Sequence, residues 1–233
     1  MRLLELGIAR PEHPIATAIF CHGFPGTNLN MPLANALGAR GVRTVLFRYT
    51  GVDEAGPWTF DRSALDAATV LRDARSAGPA PIIALGYSMG ALHVTRAIAR
   101  DGTLADLLVL LGPVLSLATF RAQLAASGSS VERFMSEGRA LLDANATDRI
   151  AQYERLERAD QPSDLLHTFA IPTLLVLGTA DSVVSAADVP AAVANMPDAV
   201  ALLVNDDHEY ARTADRIADA VVSWARSKAT RPT

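Results

Sequence analysis

Short, densely apolar runs alternate along this chain with longer stretches in which apolar positions recur at a helical period. ATAIFCH (Ala16 to His22), VRTVLFRY (Val42 to Tyr49), PIIALGY (Pro81 to Tyr87), DLLVLLG (Asp106 to Gly112), PTLLVLG (Pro172 to Gly178) and AVALLVN (Ala199 to Asn205) read as strands. Most are apolar at successive positions, so both faces must be covered; a half-exposed hairpin strand would alternate instead. Between the runs, Leu29 to Arg40, Asp61 to Ala77, Met89 to Ala99, Ser185 to Ala194 and Thr213 to Arg226 each predict a short helix. The β-α-β-α rhythm implies right-handed crossovers and an α/β fold, a doubly wound, mostly parallel sheet flanked by helices. RLLELGIA, near the start, is a candidate edge strand.

The rhythm lapses from Val114 to Thr168. There FRAQLAASG, SVERFMSEGRALLDAN and DRIAQYERLERA predict two or three short helices and no convincing strand. Inserted after a sheet strand, they would lie over the C-terminal ends of the strands. The expectation is a helical lid at 114–168 inside a single domain spanning 1–233; the alternative is that these helices only complete the packing.

Composition narrows the function classes. Half of the 233 residues are hydrophobic, enough for one sizeable core. The net charge is −4 and the arginines are scattered, so nucleic acid is not an expected partner. The single cysteine, Cys21, excludes an internal disulfide. MRLLELGIARPEHP carries a glutamate at position five and too short an apolar stretch for a signal peptide, and no run approaches the roughly 20 apolar residues that span a bilayer. A cytoplasmic protein with no membrane partner is expected. No H-E-x-x-H or paired CxxC predicts a metal, and Gly86 belongs to no G-x-G-x-x-G, so no cofactor is expected either.

The stretch that carries chemistry is GYSMG, residues 86 to 90, set between the apolar PIIAL and the helix-like ALHVTRAIAR. A strand that turns sharply into a helix strains the residue at the turn, often to a positive φ. Strand and helix then approach so closely that glycines are needed at 86 and 90. Ser88 is held at the top of the sheet, and the helix beginning near Met89 aims its first N–H groups at the same point, where its dipole favours a negative oxygen. The arrangement presents Ser88 Oγ as a nucleophile and offers the Met89 N–H to the oxyanion formed on attack.

Pentapeptide and context together resemble the α/β-hydrolase superfamily. IFCHGFPGT, Ile19 to Thr27, looks like that superfamily's His-Gly-x oxyanion loop. The resemblance implies the Phe24 backbone N–H as second oxyanion donor and a structural, loop-orienting role for His22. Gly23 and Gly26 let the backbone bend close to substrate, and Pro25 stiffens the turn.

A serine hydroxyl needs a base, and histidine titrates in the right range. Of five histidines, His13 precedes the sheet, His93 sits on the helix after Ser88, and His167 ends the insertion. His208, in NDDHEY after the last strand, can reach across to the serine and matches the superfamily's last-placed histidine. Asp181, in PTLLVLGTADSVV just past a strand, completes the order Ser, acid, His and resembles the family's acid loop. Asp206 and Asp207 are rivals by proximity, better suited to solvated loop charges or a helix cap, and Asp188 suits an exposed helix position. Cys21 beside His22 could suggest a thiol nucleophile, but it ends an apolar strand and fits a buried, inert thiol.

The expected activity is that of a serine hydrolase cleaving an ester or thioester of a small-molecule acyl substrate through an acyl-enzyme. A peptidase or amidase-like member, a biosynthetic thioesterase, cyclase or acyl-transfer enzyme, and a binding protein that lost catalysis are the alternatives. Tyr49, Trp58 and Phe60 could line an acyl pocket or simply pack. The same two possibilities hold for Phe120, Phe134, Met135 and Tyr153 in the insertion.

Overall fold

All six apolar runs become strands, and five of them bury nearly every side chain between helices. The computed structural model describes residues 12–26, 28–52, 57–78, 81–137, 146–185, 193–194 and 196–229. The strands are β1 (Ala16–Cys21), β2 (Val42–Leu46), β3 (Ile82–Tyr87), β4 (Leu107–Leu111), β5 (Thr173–Gly178) and β6 (Ala199–Val204). They form one sheet in the order β2-β1-β3-β4-β5-β6, with every neighbouring pair parallel. Register aligns Cys21 with Gly86, Tyr87 with Leu111 and Gly178 with Val204, so the C-terminal ends lie along one edge. Strand order reverses between β1 and β3, and the loops leaving these two strands lie side by side at the C-terminal edge.

The helices are α1 (Met31–Gly38), α2 (Phe60–Ser76), α3 (Gly90–Arg100), α4 (Leu117–Ala126), α5 (Val131–Glu137), α6 (Ala146–Glu157), α7 (Pro162–Leu166) and α8 (Ala214–Ala229). Side-chain alternation divides the core. Ile19 and Cys21 of β1 face a layer that includes Phe60, Leu92 and Val94, while Ala18 and Phe20 face Leu33, Leu37, Ile217 and Val221 of α1 and α8. β1, β3, β4 and β5 are buried throughout, as their unbroken apolar character requires. β6 departs from that expectation: it is an edge strand, and Val200 and Leu203 are about half exposed.

Several boundaries differ from the sequence expectation for local reasons. The helix expected from Leu29 begins at Met31, because Asn30 takes a left-handed conformation (φ 53°) and Pro32 suits only a first turn. The strand from Val42 ends at Leu46, short of Tyr49. Most of the helix expected at Ser185 to Ala194, with Asp188, lies outside the described residues, as do RLLELGIA and the RPT tail. Between β4 and β5 there are four described helices, within the expected 114–168. The extra one, α7, is announced by Pro162 at its start and by reciprocal capping between Gln161 and Asp164. This insertion is tied down. The Tyr153 hydroxyl donates to the Leu117 carbonyl (2.6 Å), and Gln161 accepts from the Leu117 N–H (2.9 Å). Arg155 reaches Asp61 of α2 (3.0 Å), and Gln152 accepts from the Phe60 N–H (3.1 Å).

The turn from β3 into α3 leaves no room for side chains at its two glycines. A Cβ on Gly86 would lie 2.8 Å from Ala91 Cα and from Val94 Cγ1, inside the helix that follows. On Gly90 it would lie 1.9 Å from the Cys21 carbonyl oxygen, so the tighter contact is with β1 rather than with the preceding strand.

Tyr49, Trp58 and Phe60 resolve as packing, each at most 2% exposed. They surround His93, whose ring lies 4.8 Å from Tyr49 and 5.9 Å from Phe60 between centroids. Burial, reinforced by His22 and Arg96, pushes the His93 imidazole down to about 3. Its Nδ1 has no hydrogen-bond partner among the described residues.

Two outcomes follow from this packing. Gly90→Ala should lower the unfolding free energy by about 3 kcal/mol or more. Gly102→Ala, where a Cβ meets nothing within 4 Å, should change it by less than about 0.5 kcal/mol. Thermal and denaturant unfolding compare the two. A histidine held below its ordinary value stabilises the fold above its unfolded pKa and loses that stabilisation as pH falls. Between pH 7 and 4.5 the parent should therefore lose about 3 kcal/mol more than His93→Leu, as read by urea titration at each pH.

Candidate active site

Ser88 occupies the apex of the β3–α3 turn with φ 54°, a left-handed conformation that serine rarely adopts without enforcement. The turn is pinned by Ser88 N–H to the Leu111 carbonyl (2.9 Å) and by the Ser88 carbonyl accepting from Ala91 and Val114. The residue is 8% exposed. From the other side the backbone of Gly23 comes so close that a Cβ there would sit 2.8 Å from Ser88 Cβ. The loop after β1 and the turn after β3 therefore meet at the serine.

The loops after β5 and β6 bring the acid and the histidine together. His208 Nδ1 lies 2.7 Å from Asp181 Oδ2. A carboxylate oxygen can only accept here, so Nδ1 carries the hydrogen and the neutral ring keeps its lone pair on Nε2. Asp181 Oδ1 accepts from the Val183 and Val184 N–H groups at 2.8 and 2.9 Å, and the Tyr210 hydroxyl also donates to Oδ2 (3.1 Å). Burial pushes the Asp181 carboxyl up, but the hydrogen bond and charge of His208 and the two backbone donors outweigh it and hold the group below its ordinary value. The His208 ring lies over Tyr87, the neighbour of Ser88, with centroids 5.2 Å apart. Among the described residues Ser88 Oγ forms no hydrogen bond to that ring; contacts between a nucleophile and its base are often long before substrate binds.

Phe24 and Met89 carry backbone N–H groups that take no partner among the described residues. The loop bearing Phe24 is braced from below. His22, 2% exposed, donates from Nδ1 to the Gly23 carbonyl (2.8 Å) and stacks on Tyr49 at 4.3 Å. Arg48 donates to the Gly26 carbonyl (3.1 Å). His22 thus points into the protein, away from the role of a base. Beside Asp181, the end of α4 and the loop after β5 frame an open cavity of about 460 Å³, with Gln123, Ser127, Thr179 and Ser182 on its walls.

The remaining sequence candidates sort by position. His13 and His167 are exposed and His93 is sealed in the core. Asp206 is fully buried, where it accepts from the Thr213 N–H (2.8 Å) and hydroxyl (2.9 Å) and pairs with Arg212 (2.9 Å). It caps the approach to α8, and only Asp207 is the solvated loop charge. Burial pushes the Cys21 thiol up to about 12, against a smaller opposing effect of Tyr49, so no thiolate forms there at neutral pH. Of the lid candidates, Phe120, Met135 and Tyr153 are buried. The half-buried Phe134 meets Phe24, with centroids 5.2 Å apart.

Three contributors escape sequence reasoning. Asn28 donates to the Tyr87 hydroxyl (3.1 Å) and to Glu209, so it links the loop after β1 to the His208 loop. Tyr87 donates to the His208 carbonyl (3.1 Å). Tyr210 shares Asp181 with His208. Its place two residues after His208 is visible in NDDHEY, but nothing in the pattern announces its φ of 55°. Among the described residues no cluster of ligating side chains could hold a metal, and no helix is long and apolar enough to cross a membrane.

Comparisons with known proteins agree with this architecture. Est1E from Butyrivibrio proteoclasticus, solved with ferulic acid, superposes with a TM-score of 0.69 at 18% identity over 99% of this chain and 100% of that one. The esterase EaEST from Exiguobacterium antarcticum gives 0.67 at 16% identity, covering 91% and 92%. The esterase domain of a Rhodothermus marinus protein gives 0.63 at 23% identity, covering 92% and 88%. A search of curated proteins finds no match. Residues 18–228 match the model of the alpha/beta hydrolase family, and with the sheet order and the strained turn at Ser88 already in place, the chain belongs to that family.

Proposed function

We propose that the chain is a serine hydrolase that cleaves an ester or thioester of a small-molecule acyl group through an acyl-enzyme on Ser88. The observation that carries this reading is the 2.7 Å Asp181–His208 pair beside a serine held at positive φ. With Nδ1–H committed to Asp181, Nε2 is the free base. It takes the Ser88 proton as Oγ attacks the carbonyl carbon, and the imidazolium is stabilised by the carboxylate. The oxyanion accepts from the Phe24 and Met89 N–H groups, each worth about 10²–10³ in kcat in comparable sites. His208 returns the proton to the leaving oxygen or sulfur. A water, deprotonated by the same Nε2, then attacks the acyl-enzyme, and the acid leaves as Ser88 regains its hydrogen.

The insertion at 114–168 serves as a lid over the acyl group. Phe134 is its contribution to the site, because it packs on the side chain of the residue that supplies an oxyanion donor. The aromatic pair Phe24 and Phe134 suits apolar or neutral acyl groups, and the esterases among the similar folds accord with ester cleavage.

Incubation with a fluorophosphonate probe should label Ser88, and p-nitrophenyl esters should be turned over. Ser88→Ala should abolish both with unchanged circular dichroism, and His208→Ala should lower kcat by about 10⁴-fold or more. Labelling without turnover of any ester, amide or thioester would favour a dedicated acyl-transfer enzyme. Absence of both signals would overturn the hydrolase reading. Along an ester series, Phe134→Ala should raise KM severalfold for hexanoate and longer chains and leave acetate within about twofold; equal effects at every length would remove Phe134 from the acyl wall.

A further inference from the structure

Tyr210 is fully buried, yet it adopts a left-handed backbone conformation, φ 55°, that a bulky aromatic residue takes only when its surroundings impose it. The result is that His208 and Tyr210, two residues apart, send their polar atoms to the same oxygen. Oδ2 of Asp181 accepts from His208 Nδ1 (2.7 Å) and from the Tyr210 hydroxyl (3.1 Å). That hydroxyl in turn accepts from the Gly178 N–H (3.1 Å), which fixes its direction. The space is closed behind it: a Cβ on Gly112 would lie 2.7 Å from the Tyr210 oxygen and 3.2 Å from Asp181 Oδ2.

We propose that Tyr210 is a positioning residue that holds the Asp181 carboxylate in place and, by sharing Oδ2, limits how strongly that carboxylate favours a protonated His208. The role rests on the hydrolase reading above. It differs from simple packing because the shared acceptor is the oxygen that faces the imidazole. A donor on Oδ2 spreads the carboxylate charge, so the imidazolium gains less from it and Nε2 stays unprotonated to lower pH. Burial, with the nearby Asp181 charge, keeps the phenol far above its ordinary value, so Tyr210 remains a donor throughout the working range. The other charged or titratable groups around the pair are Tyr87 on β3, Asp207 and Glu209 on the His208 loop, and Asp206 with Arg212 behind it. Tyr87 is committed to the His208 carbonyl, Glu209 to Asn28 and Asp206 to Arg212 and Thr213. Residues 112–116, the loop after β4, contribute no titratable group. Among the described residues Tyr210 is therefore the donor, besides His208, that acts on Oδ2.

The experiment compares the parent with Tyr210→Phe, which removes one oxygen and keeps the ring. The pH dependence of kcat and KM is measured with p-nitrophenyl acetate, and the His208 titration is followed by NMR. The acid limb of kcat/KM and the NMR midpoint should both move upward by about half a unit to one unit. On the plateau kcat should fall about two- to tenfold, with KM changed by less than about twofold. An unmoved limb and midpoint, with a loss of activity that only follows thermal stability, would overturn the proposal. Should Tyr210→Phe fail to fold, 3-fluorotyrosine at position 210 decides by itself. It preserves the buried volume and is a stronger donor, so limb and midpoint should move downward; no movement, or an upward one, would refute the role. If the parent hydrolyses no ester, the hydrolase reading falls, while the NMR comparison still tests what Tyr210 does to His208.

Discussion

The contact between the first residue of α3 and the carbonyl of Cys21 sets the geometry of the sheet edge that carries Ser88. With a Cβ excluded at Gly90 by a 1.9 Å clash, helix and β1 come within backbone contact, and the chain between β3 and α3 has two residues in which to reverse. Ser88 absorbs that reversal at φ 54°. The strain is local, but its consequences are not. It lifts Oγ to the strand ends, leaves the Met89 N–H without a backbone partner among the described residues, and lets the loop after β1 approach Ser88 at Gly23. The serine, the N-terminus of α3 and the loop after β1 meet because the backbone has nowhere else to go.

The second organising element is a buried carboxylate surrounded by donors. An ionised group taken from water is costly unless each lone pair finds a partner. Asp181 finds four: two backbone N–H groups on Oδ1, an imidazole and a phenol on Oδ2. That satisfaction fixes the tautomer of His208, and Asn28, Tyr87 and Glu209 fix the loop that carries it. The His208 loop and the loop after β1 are consequently linked to each other as well as to the sheet. The helical insertion is braced internally by Tyr153 and Gln161 on Leu117 and joined to α2 through Arg155 and Gln152.

Five histidines illustrate how solvent and partners assign roles to one side chain. His93, sealed among aromatic rings, is held neutral; His22 spends its N–H on its own loop; His13 and His167 face water. His208 is partly exposed and paired with a buried carboxylate.

The sequence determined the strands, their parallel arrangement and the elbow, because continuous apolar runs, helical periodicity and glycine spacing are local consequences of burial and backbone sterics. It also placed Ser88, Asp181 and His208 in chain order after strands whose ends share an edge. It missed the edge exposure of β6, the late start of α1 and the short helix α7. Those depend on which strand ends the sheet, on Asn30 turning left-handed and on a five-residue capped segment. Only the tertiary structure decided that Trp58 and Phe60 pack while Phe134 reaches Phe24, and that Asp206 is buried against Arg212 and Thr213. It alone brought Asn28, Tyr87 and Tyr210 to the His208 loop. Such assignments join residues far apart in the chain, and a pattern along one dimension carries no distance between them until the sheet has closed the loops.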